Sequence, residues 1–347
     1  MSTIYIGEIP VGDGCPTVFV AELGTFYNKD VARAKEFIDL AVEGGCDMLK
    51  TEILHNSNII NERAGLMHTF EHAGGEVTEN YRELIERKTV SLADYQIIFD
   101  YAKTKNLPII ASVYDFEGVD FLVKNNAGAI KLWKNNHNNL PLIEYAAKTG
   151  LPIIFDIVNL YEEEIGAAVK FALDKGASGI VLNYHPGHNP TPAIGHDLRL
   201  IETYKLKFGV PAGLSCHYRG DEIMYAAIGA GVNLIEKGVH INPDEVDQNV
   251  VSTAAFNELK SITEKVRFCS DAMGSGNIQV KEPRKNTLEY GIVAKKELKT
   301  GDVLSIENVQ FSFPALGVTA KDWSKVEGKH LNSDRNLGDE IDFIHVD

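Results

Sequence analysis

The chain is poor in cysteine, with Cys15, Cys46, Cys216 and Cys269 the four in 347 residues. No C-x-x-C pair occurs, which argues against a disulfide framework or a thiol zinc site and for a reducing cytoplasm. Long apolar runs are also missing. None approaches the roughly 20 residues that a membrane span needs, so no membrane association is expected. The opening Met1-Ser2-Thr3-Ile4 has no basic stretch ahead of an apolar one, so a secretory leader is not expected. Positive charge is scarce: 34 Lys and Arg face 49 Asp and Glu, for a net charge of −15. An acidic chain without Lys/Arg runs disfavours nucleic acid as a partner. A small anionic ligand remains compatible, given a local basic pocket.

What is present is a rhythm. Thr17 to Leu23 reads as a buried strand, and Val31, Ala34, Phe37, Ile38 and Ala41 follow at helical spacing. Further strand-like runs are 47–51, 108–112, 129–132, 152–156, 179–183, 210–215 and 232–237, with helical stretches between them. This makes eight strand–helix units by about residue 265. Apolar strands imply burial on both faces, and β–α alternation implies parallel pairing. Eight such units close most economically into a (β/α)8 TIM barrel. An open doubly wound sheet is the alternative, but no G-x-G-x-x-G follows the first strand. A polar stretch at about 55–90 interrupts the beat and reads as a functional loop or insertion.

The texture changes late in the chain. Residues 266–288 are polar, carry Gly274, Gly276, Pro283, Arg284 and Lys285, and read as a linker. Residues 289–347 hold short β-like runs broken by turns such as Thr300-Gly301-Asp302, and read as a small β-rich domain. The expected organisation is a barrel over 1–265, a linker over 266–288 and this domain over 289–347.

In such a barrel the C-terminal strand ends surround the active site. Those ends carry Glu22, Lys50, Glu52, Ser112, Tyr114, Asp115, Lys131, Trp133, Lys134, Asp156, Asn183, Ser215, His217, Glu236 and His240. Lys50 and Lys131 read either as an anion-binding pair, or as Schiff-base lysines, or as partners of Glu22 and Glu236. His185, His188, His217 and His240 follow late strands and could ligate a divalent metal. His68, His72, His137, His330 and His345 read as structural or solvent-facing. Cys216 beside His217 invites a nucleophile–base reading, but strand neighbours point to opposite faces.

Collinear segments then resemble the sialic acid synthase family. Ala21-Glu22-Leu23-Gly24 is similar to its A-E-I-G opening, and Cys46-Asp47-Met48-Leu49-Lys50 to its A-D-x-V-K strand. Pro190-Thr191-Pro192 matches the end of Y-P-T-P, Ser215-Cys216-His217 resembles S-D-H, and Ile235-Glu236-Lys237 resembles I-E-K. Val293-Ala294 through Gly301 and Leu304 resembles an antifreeze-like (SAF) domain.

The resemblance implies condensation of phosphoenolpyruvate with an aldose, with a divalent metal (Mn2+ or Mg2+) and release of phosphate. It implies Glu22, Lys50, Lys131 and Glu236 as catalytic residues. Glu52, Ser112, Asn183, Ser215 and Lys237 would bind substrate, and His217 with His240 would bind metal. It also implies a cytoplasmic, domain-swapped homodimer. The sequence departs from the family at Phe26-Tyr27 in place of Asn-His, Glu52 in place of Gln, Cys216 in place of Asp, and Gly238 in place of a metal histidine.

Overall fold

The computed structural model describes residues 3–276, 278 and 288–347. They divide into two units, Met1–Ser275 and Gly276–Asp347. The first opens with a short antiparallel pair, β1 (Ile4–Ile6) and β2 (Ile9–Val11). There follow β3 (Val18–Gly24), α1 (Val31–Glu43), β4 (Met48–Glu52), β5 (Met67–His72), β6 (Gly75–Asn80), α2 (Tyr81–Lys88) and α3 (Leu92–Thr104). Next are β7 (Ile109–Val113), α4 (Phe116–Lys124), β8 (Ile130–Leu132), α5 (Leu140–Ala147), β9 (Ile153–Ile157) and α6 (Glu162–Asp174). The unit ends with β10 (Ile180–Tyr184), α7 (Arg199–Phe208), β11 (Ala212–Cys216), α8 (Glu222–Gly229), β12 (Leu234–His240), β13 (Ala254–Ala255) and α9 (Phe256–Met273).

Strands β3, β4, β7, β8, β9, β10, β11 and β12 pair in that order, each neighbour parallel, and β12 returns to β3. The sheet therefore closes as a (β/α)8 barrel, as the alternation predicts. Helix starts are set by short polar caps: Asp30, Asn80, Ser91 and Asp115 accept backbone N–H groups of α1, α2, α3 and α4. Gly45 and Gly231 turn the chain from helix to strand with φ of 71° and 83°, a conformation a Cβ would strain.

Side chains alternate along each strand, so every second residue faces the barrel axis. One inward layer is apolar: Val18, Val20, Met48, Ile110, Ala129, Ile154, Val181 and Leu234 form a core with Ile4, Ile6 and Val11 of the first hairpin. The hairpin plugs this end closely. A Cβ at Gly128 would lie 2.6 Å from Gly7 N, and one at Gly179 would lie 2.6 Å from Ile4 Cγ2. Two residues further along the same strands stand Glu22, Lys50, Ser112, Lys131, Asp156, Asn183 and Glu236, and Ser215 of β11 lines the same cavity mouth. Apolar plug and polar layer are thus one strand pleat apart.

The structure gives the 55–90 insertion its form and moves two expected bounds. The stretch at 55–90 is ordered as the hairpin β5–β6, with Thr69 and Thr78 hydroxyls 2.8 Å apart, followed by α2. The barrel unit continues past 265: α9 runs to Met273 because Leu259, Ile262, Thr263 and Val266 make a buried stripe at helical spacing. The linker's expected start at 266 therefore lies within a helix, while Pro283, Arg284 and Lys285 lie outside the described residues, as do Met1 and Ser2.

The second unit pairs β14 (Gly291–Ala294) with β15 (Val309–Ser312), antiparallel. Isolated bridges such as Leu298–Arg335 and Val303–His330 tie its turns. Ile292, Leu298, Leu304, Val309, Val318, Val326, Leu331 and Ile341 form its own core.

Candidate active site

A cavity of about 590 Å³ opens over the polar layer. Glu22, Lys50, Glu52, Ser112, Lys131, Asp156, Ser215, His217 and Glu236 all line it. The expected residues from seven different strands therefore converge. Two lysines far apart in sequence meet on one carboxylate: Lys131 Nζ is 2.6 Å from Glu236 Oε2, and Lys50 Nζ is 3.5 Å from Glu236 Oε1. Lys50 also pairs with Glu22, and lies 3.4 Å from Glu52. Lys131 also lies 3.0 Å from Asp156 Oδ2. Convergence on a cavity and pairing with glutamate are thus both realised.

The electrostatics follow from burial. Desolvation alone would lower Lys50 and Lys131, but facing carboxylates outweigh it and hold both above the usual lysine value. Glu236 is likewise opposed by burial, yet Lys131 and Lys50 bring it down to about 2. For Glu22 and Asp156 burial wins, and both are raised. The cluster therefore holds two ammonium groups, one firmly ionised carboxylate and two carboxylates that accept protons more readily than usual. Protonated lysines do not suit a Schiff-base nucleophile, which needs a lowered value.

Other expected residues are placed differently. Asn183 is fully buried and does not line the cavity; its Nδ2 donates to Asp156 Oδ1 at 2.9 Å and so steadies that carboxylate. Lys237 does not reach the site. Glu236 faces inward, so its neighbour faces outward, and Lys237 Nζ donates to the carbonyls of Tyr218 and Gly220. Cys216 likewise packs in the outer core, away from the His217 ring.

The pair His217 and His240 is not assembled. His240 is absent from the cavity wall, and its Nδ1 lies 2.7 Å from Thr253 Oγ1. At Gly238, where the family histidine is missing, a Cβ would come within 2.5 Å of Thr253 Cγ2, so the chain has no room there for a ligand. Asn189 Nδ2 lies 2.9 Å from His217 Nδ1, and Ser215 Oγ lies 3.3 Å from its Nε2. Among the described residues no group of three or more His, Cys, Asp or Glu is arranged to hold a metal ion. The expected His217–His240 pair is therefore not formed, and the histidines that share the cavity wall with His217 are His68, His185 and His188.

Several lining residues take roles that the sequence reading did not assign them. The His185 ring lies 4.4 Å from that of His217, centre to centre, at an angle of 41°. The β5–β6 hairpin brings His68, Phe70, Glu71 and Glu76 to the wall, so His68 is not merely solvent-facing. The signal was present, since Gly74-Gly75 between Met67–His72 and the following run is a hairpin turn. Arg219, beyond β11, pairs with Glu71 and ties the hairpin to the far rim. Tyr114 donates to Glu52 Oε2 at 2.6 Å and leans on Trp133 at 5.5 Å.

A closed barrel with a charged cavity at the C-terminal strand ends defines a TIM-barrel protein whose site is built by strand termini. Residues 37–278 match the NeuB family, and the chain belongs to that family. It is 29% identical over 350 residues to an uncharacterized protein of Methanocaldococcus jannaschii, covering 100% of this chain and 98% of that protein. It is 26% identical to the N,N'-diacetyllegionaminic acid synthase of Campylobacter jejuni, covering 90% and 95%. The crystal structure of an N-acetylneuraminic acid (sialic acid) synthetase from Leptospira borgpetersenii superposes with a TM-score of 0.71 at 24% identity, over 83% of this chain and 94% of that one. The last likeness supports the fold.

Among the described residues, no helix is long and apolar enough to cross a membrane.

Proposed function

We propose that the protein is a phosphoenolpyruvate-dependent synthase that condenses this donor with an N-acetylmannosamine-like aldose to a nonulosonic acid, releasing phosphate. The observation that carries the reading is the meeting of Lys50 and Lys131 over Glu236 on the floor of one cavity. Two fixed ammonium groups at a barrel mouth suit a donor bearing a phosphate and a carboxylate. In the reaction, C3 of the enol attacks the aldehyde carbon, water adds at C2, and phosphate leaves with its bridging oxygen. Lys50 and Lys131 would take over the donor's charges, with Ser112 and Ser215 donating hydrogen bonds. Glu22 and Asp156, raised by burial, would exchange protons near the reacting carbons. Glu236 would hold the lysines apart and meet sugar hydroxyls.

The same proposal reads the second unit as an antifreeze-like domain and the working form as a cytoplasmic, domain-swapped homodimer. Its support is the independent β-rich core of 291–346 and the family membership of the barrel.

One observation favours a second reading, a non-catalytic sugar-binding or regulatory homologue. Carboxylates outnumber ammonium groups on the wall: Glu22, Glu52, Glu71, Glu76, Asp156 and Glu236 face Lys50, Lys131 and Lys134. One experiment separates the two. The chain is incubated with phosphoenolpyruvate and a panel of aldoses, with and without Mn2+, and phosphate is measured. Release that is lost in Lys50→Ala is expected. No release across the panel overturns the synthase reading, and sugar binding without release would favour the second.

A further inference from the structure

We infer that Asn189 is a positioning residue that locks His217 as its Nε2–H tautomer, so that this imidazole offers the cavity a hydrogen-bond donor for an oxyanion and no lone pair for a cation. Asn189 Nδ2 lies 2.9 Å from His217 Nδ1. An amide nitrogen only donates, so Nδ1 accepts. An accepting Nδ1 carries no proton, so the ring is neutral. A neutral imidazole whose Nδ1 accepts carries its proton on Nε2. That nitrogen faces Ser215 Oγ at 3.3 Å, and both side chains line the cavity. The main chain holds the arrangement in place, since Thr191 N donates to the His217 carbonyl at 2.8 Å.

The other end of the amide adds an independent observation. Asn189 Oδ1 is buried without a hydrogen-bond partner, on a residue that lines the cavity. A buried amide oxygen of this kind is an acceptor awaiting a donor. One amide thus orients the anion-facing imidazole and offers its oxygen to a ligand hydroxyl. The ligand fitted by this pair bears an oxyanion next to a hydroxylated group. Naming the anion as phosphate rests on the synthase reading above; the tautomer does not.

The test uses the full chain labelled with 15N-histidine. Two-bond proton–nitrogen correlations report which ring nitrogen is protonated, and His217 is assigned by its loss in His217→Gln. A protonated Nε2 and bare Nδ1 are expected at neutral pH. In Asn189→Asp the carboxylate only accepts, so the proton moves to Nδ1. Asn189→Ala, which adds no charge, is expected to weaken inorganic phosphate binding about tenfold, the scale of one hydrogen bond to a charged group. A wild-type His217 protonated on Nδ1 overturns the assignment, and this spectrum decides it even should the aspartate variant misfold. An unchanged phosphate affinity in Asn189→Ala overturns the donor role. If the tautomer stands while neither phosphate nor phosphoenolpyruvate binds, the donor role fails together with the synthase reading.

Discussion

The two ends of the barrel are built on the same strands, two residues apart, and obey opposite rules. At one end Val20, Met48, Ile110, Ile154, Val181 and Leu234 close on the β1–β2 hairpin with no polar partner needed. At the other, Glu22, Lys50, Lys131, Asp156, Asn183 and Glu236 take the next inward positions and are joined by ion pairs and the Asn183–Asp156 hydrogen bond. The apolar end is stabilised by burial that tolerates modest repacking. The charged end is stabilised only while each ion keeps its partner, because an uncompensated buried charge is far costlier than a lost methylene. A fold that places both layers on one set of strands uses the first to hold the second in position.

The comparison breaks most sharply at Lys131. Lys131→Met leaves Glu236 and Asp156 facing each other without their shared cation, and should cost about 3–5 kcal/mol in urea unfolding. Adding Glu236→Gln should restore much of that loss. A single variant as stable as wild type would mean that the ion cluster contributes nothing to holding the layer. At the opposite end, Ile6→Ala removes a buried part of the plug and should cost about 2–3 kcal/mol. Phosphoenolpyruvate binding should persist in folded Ile6→Ala and vanish in Lys131→Met. Equal effects on binding from both ends would mean that the layers are not separable.

Much of this contrast was legible in the sequence. All eight barrel strands announce themselves as short apolar runs, and the polar residues near their ends are what a barrel mouth requires. Alternation also separates Glu236 from Lys237, since two strand neighbours cannot both face one axis. What was not legible depends on contacts distant in sequence. Ile4 and Ile6 reveal themselves as a plug only once Gly128 and Gly179 are seen to leave room for them. His240 looks equivalent to His217 until Thr253, brought alongside β12 next to β13, takes its ring nitrogen. The His185–His217 ring contact joins segments after different strands, and no spacing rule encodes it.

The subtlest contrast is in acid, and His217 carries it. Folded, its imidazole resists protonation down to about 3; unfolded, it titrates near the ordinary value of 6.5. The unfolded chain therefore binds the proton first, and stability must fall as pH drops through 6.5, the loss continuing toward 3. Between pH 6.5 and 5.5 this one group accounts for ~1 kcal/mol. His185, also lowered by burial, acts in the same direction, whereas Glu22 and Asp156, raised by burial, oppose it at lower pH. Subtracting the profile of His217→Gln from that of wild type isolates the histidine, because the glutamine cannot titrate. The difference in urea midpoint should shrink steadily as the pH is lowered from 6.5. A flat difference would mean that the ring is already charged in the fold, and that the charged end of the barrel is more open to water than its packing implies.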